Sequence, residues 1–208
     1  MSEGGLEYHP RMSEQRIQQQ FFDSADLKYA AAEALTRPIG DAVHAVLGCI
    51  TGGGKVLACG NGGSAADAQR LAALLVGRFE QDRPGLAAVS LSSDTSVLTG
   101  VGRDQGLEQI FARQVLALGH PGDVLVALST SGNAANVLAA VEAAHEKEMT
   151  VVALTGQGGG AMTRALAETD VHICVPHQRT ARILEVHLLV IHTLCDVIDL
   201  QLLGETDA

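Results

Sequence analysis

From residue 55 onward, short apolar runs alternate with stretches of helical periodicity. The runs at 55–60, 86–91, 123–128, 150–155 and 171–175 read as strands. They are nearly continuous in apolar residues, the pattern of strands buried on both faces. The stretches at 64–77, 106–117, 133–147, 161–167 and 178–202 read as helices. Such alternation predicts a parallel sheet with helices packed on both sides. Ahead of it, residues 11–35 form a predicted helix with Ile17, Phe21, Ala25, Leu27 and Ala31 on its apolar side. Pro38 then opens a second helix through about Ile50, consistent with proline at a first helical position. Thr51-Gly52-Gly53-Gly54 ends it. Residues 1–10 read as a disordered leader, 11–203 as one domain and 204–208 as a tail. The two leading helices and the long last helix exceed the cover one sheet needs. Their surplus apolar surface argues for an oligomer.

Composition narrows this picture. The chain has 208 residues, 47% of them apolar but only 3% aromatic, so the core rests on Ala, Leu, Val and Ile. A net charge of −10 disfavours direct nucleic-acid binding and leaves room for a basic protein partner. No apolar run reaches the roughly 18 residues that span a bilayer, and the N-terminus lacks a signal-peptide core, so the expected location is the cytoplasm. Cys49, Cys59, Cys174 and Cys195 lie far apart with no CxxC pair, which predicts buried free thiols.

The candidate chemistry sits in two loops of similar design. Gly60-Asn61-Gly62-Gly63-Ser64 follows the first strand, and Ser129-Thr130-Ser131-Gly132-Asn133 follows the third. Each opens an alanine-rich helix. Strand, Gly/Ser turn and helix together present backbone amides and hydroxyls to an anion. The glycine spacing does not match the dinucleotide fingerprint, and no Walker-type lysine follows either loop. Ser64 would serve equally as an N-cap. The hydroxyl triplet Ser129-Thr130-Ser131 exceeds what one cap requires, which favours a phosphate site. With no Lys or Arg in the loops, binding would rest on amides, hydroxyls and helix dipoles. A third turn, Gly156 to Gly160, lies at the same edge of the sheet or is simply a flexible connection.

The run Cys59-Gly60-Asn61-Gly62-Gly63-Ser64-Ala65-Ala66-Asp67-Ala68-Gln69 resembles the sugar isomerase (SIS) family in its phosphoheptose isomerase branch. So do Gly119-His120-Pro121-Gly122-Asp123, Ser129 to Val137, Val152 to Gly156, Ala181 to His187 and Leu194 to Asp199. The resemblance covers about residues 15–203, and so implies a single SIS domain at 11–203. It implies a five-stranded parallel flavodoxin-like sheet, a homotetramer and a site at a subunit interface. The same motifs resemble DiaA, a paralogue that binds the replication initiator DnaA. For the isomerase branch, the resemblance implies conversion of sedoheptulose 7-phosphate, often with zinc. Its catalytic positions fall on Arg70, Leu74, Leu184 and His192, where the family carries His, Glu, Gln and His. Only His192 matches and stays a residual catalytic candidate, although its largely apolar helix favours a buried, hydrogen-bonded role. Leucine moves no proton and arginine stays protonated. One histidine makes no zinc site, so no cofactor is expected unless the isomerase reading holds. Glu185 neighbours the lost glutamine position. Arg103 replaces an asparagine and Ala134 a serine of the family.

The expected phosphosugar-binding residues are Asn61, Gly62, Gly63, Ser64, Asp104, Ser129, Thr130 and Ser131. The expectation from the missing groups is a catalytically impaired, DiaA-like regulator that binds DnaA, with Leu202 and Leu203 as partner-binding residues. A phosphoheptose isomerase and a phosphosugar sensor without a DnaA role are the alternatives. Leu202 and Leu203 would equally finish a subunit interface.

Overall fold

The computed structural model describes residues 10–204. The predicted leader and tail lie outside them, save Pro10, which begins the first helix, and Gly204, which follows the last. Five parallel strands form one sheet in the order β2-β1-β3-β4-β5, as the flavodoxin-like reading requires. They are β1 (Val56–Gly60), β2 (Ala88–Ser90), β3 (Val124–Ser129), β4 (Thr150–Thr155) and β5 (Val171–Cys174). β1 and β3 are neighbours in register, Cys59 opposite Ala127 and Gly60 opposite Leu128. The two Gly/Ser loops therefore leave the same edge of the sheet side by side.

Alternate strand residues feed two cores. Val56, Ala58, Val126, Leu128, Val152 and Leu154 pack with α1 (Pro10–Thr51), α2 (Gly63–Val76) and α7 (Thr180–Leu203). Leu57, Cys59, Leu125, Ala127 and Ala153 pack on the other face with α4 (Ala112–Leu118) and α5 (Ala135–Glu146). α3 (Thr95–Gln105) and α6 (Met162–Ala165) complete that layer.

Three expectations are corrected. α1 is one helix of 42 residues that runs through Pro38 instead of breaking before it. An interior proline costs about 3 kcal/mol in a helix. Here the apolar stripe Leu27, Ala31, Leu35, Ala42, Val43, Val46 and Cys49 stays in one core across the proline. The carbonyl that Pro38 leaves unbonded belongs to Ala34, an exposed residue within reach of water. The early apolar side is corrected as well. Leu27 and Ala31 are buried, but Ala25 is exposed, and so are Ile17 and Phe21, the latter at 73%. The helix predicted at 106–117 resolves into a 3-10 turn at Leu107–Gln109 and α4. Before it stands α3, capped by the Asp94 carboxylate accepting from the Val97 N–H. Gly100 and Gly102 and the lack of any buried residue in α3 hid its periodicity. All four cysteines are free, three buried and Cys174 half-buried.

Two buried polar ties fix α7. The Arg83 Nε donates to Asp199 at 2.5 Å, and its guanidinium also donates to the Leu74 and Leu75 carbonyls. That clamp sets the end of α2 against the end of α7. Breaking such a pair from one side typically costs about 3–5 kcal/mol. The second tie is His187, whose Nε2–H donates to the Thr155 carbonyl at 3.0 Å. Burial pushes the His187 imidazole below its usual value, partly offset by that hydrogen bond, and burial does the same to His172. The folded state thus resists protonation that the unfolded chain accepts. Stability contributed by these groups is full above the unfolded value of about 6.5 and is lost as pH falls toward the lower folded values. Melting temperature is expected to decline from pH 7.5 to 5.5, and His187→Gln to flatten part of that decline. Parallel slopes for the two proteins would contradict it.

Candidate functional site

The first loop turns tightly into α2. The Asn61 carbonyl accepts from the Ser64 N–H, and the Gly62 carbonyl accepts from Ala65 and Ala66. The helix begins at Gly63 with Gly62 as its cap residue, so Ser64 is inside the helix and is not its N-cap. The second loop is braced from two sides. Met162 N–H donates to the Gly132 carbonyl at 2.9 Å, and Ala161 N–H to Asn133 Oδ1 at 2.8 Å. Both bonds come from the chain after β4, so the third glycine-rich turn is packed against the second loop. Within that turn Gly156 and Gly159 are buried, which sets aside the flexible-connection reading. Asn133 N–H donates to Ser131 Oγ, which leaves the Ser131 hydroxyl proton free to donate. The Ser64, Ser129 and Thr130 hydroxyls make no hydrogen bond among the described residues. Ser129 is only 6% exposed, at the floor between the loops.

α2 and α7 form the wall beside the first loop. Leu184 lies over that loop: a Cβ added at Gly63 would stand 2.7 Å from its Cδ1. Leu74 is half-buried and packs against the core, and Arg70 is exposed. His192 is half-buried rather than enclosed, with its ring 5.7 Å from that of Phe79. Asp67 completes this wall and was not singled out from sequence. It sits on the buried face of α2, 9% exposed, and its Oδ2 has no partner. Burial raises its carboxyl above the usual range, against the pull of the Arg70 and His192 charges. The signal was present in the spacing: Ser64, Asp67, Ala68, Leu71, Ala72 and Leu75 share one buried face.

Other candidates sit elsewhere. Glu185 accepts from Ser24 Oγ at 2.7 Å and pairs with Arg182 at 2.8 Å, so it is committed to α1 and its own helix. Asp104 is exposed at the end of α3, its carboxylate held by Arg103 next to it. Cys59, at the end of β1, has its thiol pushed up to about 12 by burial, which removes it as a nucleophile. Leu202 and Leu203 are exposed at the end of α7.

A zinc ion does not fit this donor set. Among the described residues no three His, Cys, Asp or Glu side chains cluster as ligands. The wall offers His192 and Asp67, whereas Leu74 and Leu184 occupy positions where the resemblance implies polar groups. No helix among the described residues is long and apolar enough to cross a membrane.

Residues 20–156 match the SIS domain. The chain is 69% identical over 196 residues to a phosphoheptose isomerase of Methylibium petroleiphilum, spanning 94% of this chain and 98% of that protein. It is 59% identical to the phosphoheptose isomerase of Aromatoleum aromaticum, over 92% and 97% of the two chains. The phosphoheptose isomerase structure from Neisseria gonorrhoeae superposes with a TM-score of 0.86 at 51% identity, covering 89% of this chain and 98% of that one. These likenesses overturn the expectation of an impaired, DiaA-like regulator binding DnaA. That reading weighed a few side chains of the α2–α7 wall, together with motifs common to both branches. The nearly full-length likeness runs to the enzyme.

Proposed function

Because the chain belongs to the SIS domain family, we propose that it is a phosphoheptose isomerase, interconverting sedoheptulose 7-phosphate and D-glycero-D-manno-heptose 7-phosphate. The observation that carries this reading is the pair of loops side by side at the ends of β1 and β3. They open helices α2 and α5 from adjacent strand ends, in a chain 69% identical to a phosphoheptose isomerase. The phosphate is assigned to the Asn61 to Gly63 amides, the Ser64 hydroxyl, and the amides and hydroxyls of Ser129 to Ser131, aided by the two helix dipoles. Asp104, held by Arg103, is assigned to the rim.

The reaction moves one proton from C1 of the ketose to C2 and another from O1 to O2. His192 is assigned the transfer between the carbons, because Arg70, Leu74 and Leu184 supply no group that gives and takes a proton. Asp67, whose carboxyl burial raises above the usual range against the pull of the Arg70 and His192 charges, is assigned to stabilise the charge that His192 takes up. The active form is assigned as a homotetramer. Exposed Phe21, Phe22, Tyr29 and Leu189 would be buried between copies, with Leu202 and Leu203 finishing that interface. Incubation with sedoheptulose 7-phosphate, followed by proton NMR, is expected to yield an aldose anomeric signal. Unchanged substrate would overturn the reading.

A further inference from the structure

The second loop is pinned on its β4 side by the backbone bond from Met162 and by Asn133. On its β1 side the arrangement is different. Asn61 Nδ2 donates to Asn136 Oδ1 at 2.8 Å, and Asn136 Nδ2 donates to Asn61 Oδ1 at 2.9 Å. Among the described residues this reciprocal amide pair is the hydrogen-bonded link between the two loops beyond the strand ladder itself. It joins positions 75 residues apart. Both anchors sit where a helix begins. Asn61 supplies the carbonyl that receives the Ser64 N–H, and Asn136 is in the first turn of α5.

We infer that the Asn61–Asn136 bridge is the positioning device that sets the spacing of the two anion-binding loops, with Asn136 a positioning residue for the phosphate. The unpaired N–H groups at the starts of α2 and α5 reach one phosphate only if the helix ends are held at a fixed separation, and the bridge holds them. In addition, each amide spends one N–H and one oxygen on the bridge and keeps a second N–H. The loops carry no cationic side chain, so two further donors at their junction matter to an anion. The inference rests on the phosphate reading of these loops, and the test separates the two.

Inorganic phosphate is titrated calorimetrically into the purified protein and its variants at pH 7.5. Wild type is expected to bind. Asn136→Ala is expected to weaken binding about three- to tenfold, the usual worth of a lost hydrogen bond. Asn136→Asp keeps the shape but puts a carboxylate beside the anion. It is expected to weaken binding at least about tenfold, while its melting temperature stays level or rises, because an acidic group favours a helix N-terminus. A merely structural role would move binding and melting in the same direction. The double variant Asn61→Ala/Asn136→Ala is expected to lose clearly less than the product of the two single losses, since either change removes the same bridge. If wild type binds and Asn136→Ala binds equally, the positioning role is overturned and the phosphate reading stands. Multiplicative losses in the double variant overturn the bridge as the cause. If wild type binds no phosphate, both readings fall together.

Discussion

Replacing His192 with Ala is expected to lower turnover of sedoheptulose 7-phosphate by about 10²–10⁴-fold, the usual worth of a well-placed acid or base. The reason lies in the composition of the α2–α7 wall. Leu184 covers the first loop and Leu74 packs into the core, so neither moves a proton. Arg70 offers a guanidinium, which makes a poor general base. His192 is half-buried beside Phe79 with Asp67 nearby, accessible enough to meet a substrate. Because the phosphate loops lie on other elements, the substitution is expected to change kcat far more than KM. His192→Ala with unchanged kcat would remove the histidine from the mechanism. A rise in KM alone would make it a binding residue instead.

Replacing Gly132 with Ala is expected to lower folding stability by roughly 2–5 kcal/mol and to abolish phosphate binding, from overpacking together with left-handed strain. Gly132 sits at φ +65°, where a side chain is strained, and has no free space around it. An added Cβ would stand 1.9 Å from the Gly159 carbonyl oxygen, a backbone atom that cannot swing aside. Relief requires moving the second loop away from the turn after β4. That motion breaks the bond from Met162 and displaces Ser129 to Ser131. Chemical denaturation with a phosphate titration checks both parts. Wild-type stability would show that the β4 turn does not brace the loop.

The strands, their parallel arrangement and the two loops were legible because each signal is local. Continuous apolar runs mark buried strands, and Gly/Ser/Thr punctuation after a strand marks a helix-opening turn. α3 was not legible, since it buries no residue and carries two glycines, leaving only the Asp94 cap as a signal. Pro38 misled for the opposite reason: its local rule holds, but packing on both sides outweighs it. The side-by-side placement of the loops that carry Ser64 and Ser129 to Ser131 was readable from the motifs after the first and third strands. The Asn61–Asn136 bridge was not, because no sequence pattern says which amides meet across 75 residues. Glu185 illustrates the same limit. Its neighbour in sequence lies over the loop, while its own carboxylate turns to Ser24 and Arg182. Arg70, Leu74 and Leu184 on α2 and α7 differ from the family pattern that the resemblance implies, while the rest of the chain follows the phosphoheptose isomerase relatives over nearly its full length.

This chain is expected to move a proton between two adjacent carbons of a phosphorylated heptose. The most direct measurement is the reaction of sedoheptulose 7-phosphate with the full-length protein in deuterium oxide, followed by mass spectrometry and NMR of the recovered sugar. Isomerase action predicts deuterium at C2 of the aldose product and, through reversal, at C1 of the ketose, with His192→Ala incorporating little. A sugar recovered undeuterated and unconverted, from a protein that binds it, would contradict the account.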